Sequence, residues 1–271
     1  MKKEKIIKKT ENVNTKKHAF ALIFVVLAAF VVTAVGLMIA GETIGIGDIL
    51  VEFSTVGAAF VAVLFAKKTY GQKLSDKVSF KGFDFSVPIM ITLLDWALCE
   101  LLDHFSAVVL SNFMTIEPNE SEKVTVFAVI GAVIIAPIFE ELIFRFSFMG
   151  YFKNSAGRKF TVIATSVIFA LIHLYNIQGF LDVLLGALIM AYVYIKTENL
   201  LYTIAMHFLH NSMCFLPLKV YTVKNGFVFA STPYLIVCSV VAVIGIVYFV
   251  KHFKPKFIDK TSAVKLEIVP A

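Results

Sequence analysis

Apolar runs of about 20 residues, enough for a helix to cross a bilayer, recur from end to end of the chain, separated by short polar segments. They fall near 19–40, 45–66, 86–106, 124–149, 160–175, 179–196, 200–216 and 233–250, a pattern that predicts eight transmembrane helices. No stretch between them is long enough for a sizeable water-soluble domain. The expected fold class is all-α: a polytopic helical bundle over 18–250, flanked by basic tails at 1–17 and 251–271. The third run is the most polar, because Asp95, Glu100 and Asp103 interrupt it and Glu117, Glu120 and Glu122 follow it. It is expected to be partly amphipathic.

Charge gives this span count an orientation. With eight crossings both tails share one face, and all of the 25 Lys and Arg residues except Lys123, Lys219 and Lys224 fall on it. An odd count scrambles that asymmetry. By the positive-inside rule the tails are cytoplasmic. Composition agrees with a membrane chain: 59% of residues are apolar, mean hydropathy is +0.84, and 16% are charged against about 25% in an ordinary soluble domain. A net charge of +6 raises nucleic acid as a partner, but the lysines sit in the tails and connections, where anionic lipid is the fitting counterpart, so no nucleic acid is expected. Cys99, Cys214 and Cys238 lie in or beside apolar runs without CxxC spacing and read as small core residues. The lysine-rich start has no small-residue cleavage site after it, so the first run reads as a retained span.

Chemistry concentrates in the fourth, fifth and seventh runs. Glu140 and Glu141 stand together inside Ala136-Pro137-Ile138-Phe139-Glu140-Glu141-Leu142-Ile143-Phe144-Arg145. Carboxylates at membrane depth are costly and mark function by default. Helical spacing lets Glu141 pair with Arg145 and turns Glu140 about 100° away without a local counter-charge, as suits a general base. Pro137 is expected to loosen the helix one turn earlier. The midpoint of positions 140 and 173 falls between Ala156 and Gly157, in the polar turn joining the fourth and fifth runs. In an antiparallel hairpin His173 is then level with Glu140, and the two together can activate a water. In the seventh run His207 and Asn211 share a face and suit an oxyanion. His210 borders another face and is the weaker candidate. Asp95, about 14 Å into the third span, reaches a similar depth and is expected to pair with a basic residue or to make a plain polar contact. All of these residues also fit a purely structural polar network.

A divalent metal stays open. The His-Glu-x-x-His spacing of zinc helices is absent, yet Glu140, His173 and His207 could converge as three ligands from three helices.

Taken together, Glu140-Glu141-x-x-x-Arg145, Phe169-x-x-x-His173 and His207-x-x-x-Asn211, in that order on successive spans, resemble the CPBP family of intramembrane proteases. That family includes type II CAAX prenyl endopeptidases and Abi-like bacterial members that process peptides or confer bacteriocin immunity. The resemblance covers a catalytic core at 124–215. It implies Glu140 as the base that activates water, His173 as its assistant, His207 and Asn211 as the oxyanion site, and Glu141, Arg145 and Phe169 as support. Family members have been described both as metal-dependent and as glutamate-type proteases. Here the glutamate type is favoured, with no certain cofactor.

The expected function is an intramembrane endopeptidase acting on a peptide or membrane-protein substrate, prenylated or not, in a multi-pass protein of the bacterial plasma membrane. The alternative is a non-catalytic immunity or peptide-binding factor, or a small transporter using the same charges. Oligomeric state is not legible in the chain.

Overall fold

A computed structural model of the chain describes residues 46–116, 125–173, 177–216 and 220–253. The expected span at 19–40, the 1–17 tail, most of the 251–271 tail, Lys123, Lys219, Glu117, Glu120 and Glu122 lie outside the described residues.

Helices occupy the other expected runs. They are α1 (Ile46–Tyr70), α2 (Ser86–Leu110), a composite α3 (126–155), α4 (Arg158–Ile172), α5 (Phe180–Thr197), α6 (Leu200–Cys214) and α7 (Thr232–Tyr248). Local chemistry sets their ends. Thr125 caps α3 by accepting from Ala128 N at 3.0 Å, and Asn199 caps α6 by accepting from Leu201 N at 3.2 Å. Pro233 stands in the first turn of α7, where a missing N–H costs nothing.

Among the described residues, three helices are long and apolar enough to cross a membrane: Val126–Lys153, Phe180–Thr197 and Thr232–Lys251. They lie in three of the eight expected runs. α4 and α6 have 15 residues each, and at 1.5 Å per residue each spans about 22 Å, short of the ~30 Å hydrocarbon core. α2 is long enough, but its three acidic residues remove it from the apolar class. Its Asp95 is nevertheless buried, so the polar side of that helix faces protein.

α3 changes its winding twice. Two π-helical stretches, Gly131–Ile135 and Leu142–Met149, flank the α-helical Ala136–Glu141 that carries both glutamates. Pro137 accounts for the first: it has no N–H to bond back along the helix and its ring crowds the preceding turn, so the backbone widens there, as expected. Side chains take up the displaced carbonyls. Asn211 Nδ2 donates to Ala132 O at 2.7 Å, Tyr70 OH to Ser147 O at 2.8 Å and Gln72 Nε2 to Phe146 O at 2.9 Å. Away from water those carbonyls would otherwise be costly.

Small residues let the helices approach closely. Ala58, Ala59 and Ala62 of α1 pack against Ile143, Phe144 and Phe148 of α3, with Phe169 of α4 completing the cluster. α7 lies along α2, where Cys238 and Ala242 meet Leu94 and Ala97. Cys99 and Cys238 are buried as expected, whereas Cys214, at the end of α6, is exposed.

The chain is not all-helical. β1 (Tyr221–Lys224) and β2 (Phe227–Ala230) form an antiparallel hairpin in which Lys224 faces Phe227. Asn225 and Gly226, at φ 54° and 77°, supply the left-handed two-residue turn that matches strand twist. Gln178 acts as a third strand residue: its Oε1 accepts from Val228 N at 2.9 Å and its Nε2 donates to Val228 O at 2.8 Å. A Cβ at position 226 would collide with the Ile116 carbonyl and strain the backbone. Gly226→Ala is therefore expected to lower stability by about 1–3 kcal/mol, read as a lower unfolding temperature in detergent.

Glu198, left-handed at φ 51°, closes α5. Lys77 Nζ lies 2.7 Å from its Oε2 and Lys153 bonds its Oε1. Burial pushes this carboxyl up, but the two ammonium groups outweigh that and hold it at about 2, against an ordinary 4.5. A depressed folded value stabilises above the unfolded one and is lost as pH falls. The gap in unfolding temperature between wild type and Glu198→Gln is expected at neutral pH and to close as pH drops from 4.5 toward 2. Because the carboxylate is 37% exposed, the gap is small.

Candidate active site

The site forms where α3, α4 and α6 meet. Glu141 is fully buried and Arg145 nearly so, and Arg145 Nε lies 3.2 Å from Glu141 Oε2, the pairing that helical spacing predicts. The guanidinium also reaches Ala187 O on α5 at 3.4 Å and stands 5.2 Å from the centre of the Phe169 ring. A buried cation with three kinds of partner cannot move without losing several at once.

The second Glu141 oxygen fixes a histidine. His207 Nδ1 lies 3.1 Å from Glu141 Oε1. A carboxylate oxygen accepts, so Nδ1 carries the proton and Nε2 of the neutral ring is an acceptor. That Nε2 faces Glu140 Oε2 across 3.9 Å. Glu140 was expected to have no counter-charge nearby on its own helix, and its basic neighbour comes from α6. Thr203, one turn before His207, is fully buried, and its hydroxyl donates to Leu200 O at 3.3 Å. Sequence reading missed it, although its four-residue spacing from His207 was available as a signal.

Phe169 is the hinge of the aromatic packing. The His173 ring stacks on it at 4.5 Å and 24°, and the His207 ring meets it edge-on at 6.1 Å. His173 sits at the end of α4 with Nδ1 2.8 Å from Phe169 O. A carbonyl accepts, so here too Nδ1 carries the proton and Nε2 the lone pair. Two imidazoles are thus held on one phenyl ring in the same tautomer. Asn211, expected beside His207, directs its amide nitrogen to Ala132 O on α3. His210 points elsewhere: its Nδ1 lies 2.9 Å from Asp95 Oδ2 on α2. The basic partner expected for Asp95 is therefore a histidine.

Among the described residues, no group of three or more His, Cys, Asp or Glu side chains is arranged to hold a metal ion. The three-ligand set Glu140, His173 and His207 does not form such a group.

Residues 122–213 match the family model described as type II CAAX prenyl endopeptidase Rce1-like. No curated protein matches the chain, and no solved structure does. The matched stretch contains the two glutamates, Arg145, Phe169, His173, His207 and Asn211, and its apolar helices make this an integral membrane protein. The match supports the CPBP and CAAX protease family for this chain, and with it a membrane-embedded CAAX-type endopeptidase as its general activity.

Proposed function

We propose that the chain hydrolyses a peptide bond with a water held between Glu140 and His207. The observation that supports this reading is that Glu140 Oε2 and His207 Nε2 face each other at 3.9 Å; with the His207 ring neutral and its proton on Nδ1, both atoms are acceptors. Two acceptors at that separation call for a donor between them. A water about 2.8 Å from each supplies one proton to each and turns its lone pairs outward, toward a substrate carbonyl. Glu140 takes a proton as general base while the water oxygen bonds to the carbonyl carbon, and returns it to the amine nitrogen as the C–N bond breaks; His173 assists that proton transfer. Glu141 and Arg145 hold His207 in the required tautomer.

For the oxyanion, Asn211 is the donor. One of its amide protons is given to Ala132 O, and the amide has a second. The tie fixes the side chain's orientation, which is what preorganised stabilisation of developing charge requires. The finer topology, eight crossings with cytoplasmic tails in a bacterial plasma membrane, rests on the distribution of basic residues along the chain. The substrate is a peptide or membrane protein that meets the site in the bilayer, in contact with membrane lipids.

The test compares the peptides of membranes holding wild type with those holding Glu140→Gln at equal abundance. A cleaved species present only with wild type supports hydrolysis. Identical peptide sets, with an unchanged phenotype, leave the non-catalytic binding or transport reading.

A further inference from the structure

His207, His210 and Asn211 occupy one turn of α6, and each is bonded to a different place: His207 to Glu141 on α3, Asn211 to the first π turn of α3, and His210 to Asp95 on α2. At about 100° per residue, Asn211 lies ~40° to one side of His207 and His210 ~60° to the other. The two ties to α3 alone leave α6 able to roll about the line joining them. The tie to α2 removes that roll, with a longer second contact beside it, Thr92 Oγ1 to Met206 O at 3.4 Å. We infer that Asp95 and His210 form a positioning pair that fixes the rotation of α6, and so the direction of His207 Nε2 toward Glu140; this rests on the hydrolytic reading.

The pair is built for rigidity. Asp95 is 2% exposed, and its other oxygen, Oδ1, lies 3.7 Å from Cys99 Sγ, one turn along α2. The Cys99 thiol also contacts Asp182 O on α5 at 3.4 Å, so the carboxylate is braced from its own helix and tied to a third. The edge of Trp96 packs against the His210 ring at 5.4 Å, and Trp96 Nε1 donates to Tyr234 OH on α7 at 3.0 Å. Opposite the carboxylate, α5 presents Gly186, where an added Cβ would stand 3.5 Å from both Asp95 oxygens. Neither Asp95 nor His210 touches the acceptor pair that holds the water, so their effect is exerted through His207. A shift of about 1 Å at Nε2 matters there, because catalytic groups lose rate steeply with misplacement.

The decisive measurement is the ring-nitrogen spectrum of His207 in protein labelled with nitrogen-15 histidine, in lipid bilayers, assigned with His207→Gln and His210→Gln. Asp95→Ala is expected to move both His207 nitrogen signals away from their wild-type positions. Asp95→Asn keeps an oxygen acceptor for His210 Nδ1 and is expected to restore them. In parallel, on whichever peptide is cleaved only in the presence of Glu140, Asp95→Ala is expected to lower kcat at least tenfold with KM within twofold, and Asp95→Asn to recover most of it. His207 signals that stay in place in Asp95→Ala overturn the inference. Should that variant fail to accumulate, His210→Phe keeps the ring against Trp96 while removing Nδ1, and the same shift is expected. If both fail while Asp95→Asn accumulates with displaced His207 signals, an acceptor for His210 Nδ1 is not what holds His207 and the inference falls. A membrane peptide set indifferent to Glu140 removes the hydrolytic reading instead, while the nitrogen spectra still decide whether Asp95 positions His207.

Discussion

Glu140→Gln is expected to lower peptide hydrolysis by about a thousandfold, within the range that general-base removal produces, while the protein still inserts and accumulates. The amide has nearly the size of the carboxylate, and position 140 is 14% exposed, so packing changes little. What it loses is the capacity to take a proton from water. Glu140→Asp keeps the charge but withdraws it by one methylene, widening the 3.9 Å gap to His207 Nε2, and is expected to lose about 10- to 100-fold. Because the two groups act on one water, Glu140→Gln combined with His207→Gln should be hardly worse than either alone. Initial rates on the peptide identified in membranes are the measurement. Wild-type rates in Glu140→Gln would remove the assigned base, and multiplicative losses in the double variant would mean that the two residues act separately.

Hydropathy made the helices legible. The seven runs from 45–66 to 233–250 each contain a helix, because apolar length is a strong signal and a buried helix needs little else. What it did not convey is which helices are long enough to cross. That depends on where each one ends, and ends are set by single residues such as Glu198 and Asn199 rather than by average composition. The hairpin went unread although its signal was present. Asn225-Gly226 between Tyr221-Thr222-Val223-Lys224 and Phe227-Val228-Phe229-Ala230 is a strong short-range turn pattern, but it lies between apolar runs, where hydropathy carries no strand signal.

In the site, contacts within one helix were legible and contacts between helices were not. The Glu141–Arg145 pair follows from spacing alone. That His207 meets Glu141 through one nitrogen and Glu140 through the other depends on the rotation of α6 against α3, and a periodic pattern carries no such information. The π turns add to this. Once a helix departs from 3.6 residues per turn, angular arguments along it drift, so spacing along α3 does not tell where Ala132 and Glu141, the separate anchors of Asn211 and His207, stand relative to each other. Pro137 was the legible part of that departure; the second π stretch, with carbonyls taken by Tyr70 and Gln72, has no comparable mark in the sequence.

Arg145→Met is expected to destabilise the protein by about 3–5 kcal/mol, the largest stability effect among these substitutions. Removing the guanidinium leaves Glu141, with no exposure at all, as an uncompensated buried charge, and takes the cation from the face of Phe169. Replacing both partners, Glu141→Leu with Arg145→Met, removes the charge instead of stranding it, and apolar replacements of buried pairs are often neutral or stabilising. The double variant should therefore recover most of the lost unfolding temperature in detergent. It should not recover activity. With Glu141 gone, His207 Nδ1 has lost the acceptor that sets its tautomer, so Nε2 no longer faces Glu140 reliably as an acceptor. Stability regained without turnover would separate the two roles of this ion pair. A single variant as stable as wild type would mean that Glu141 is neutral in the folded chain, and a fully active double variant would show that His207 takes its orientation from elsewhere.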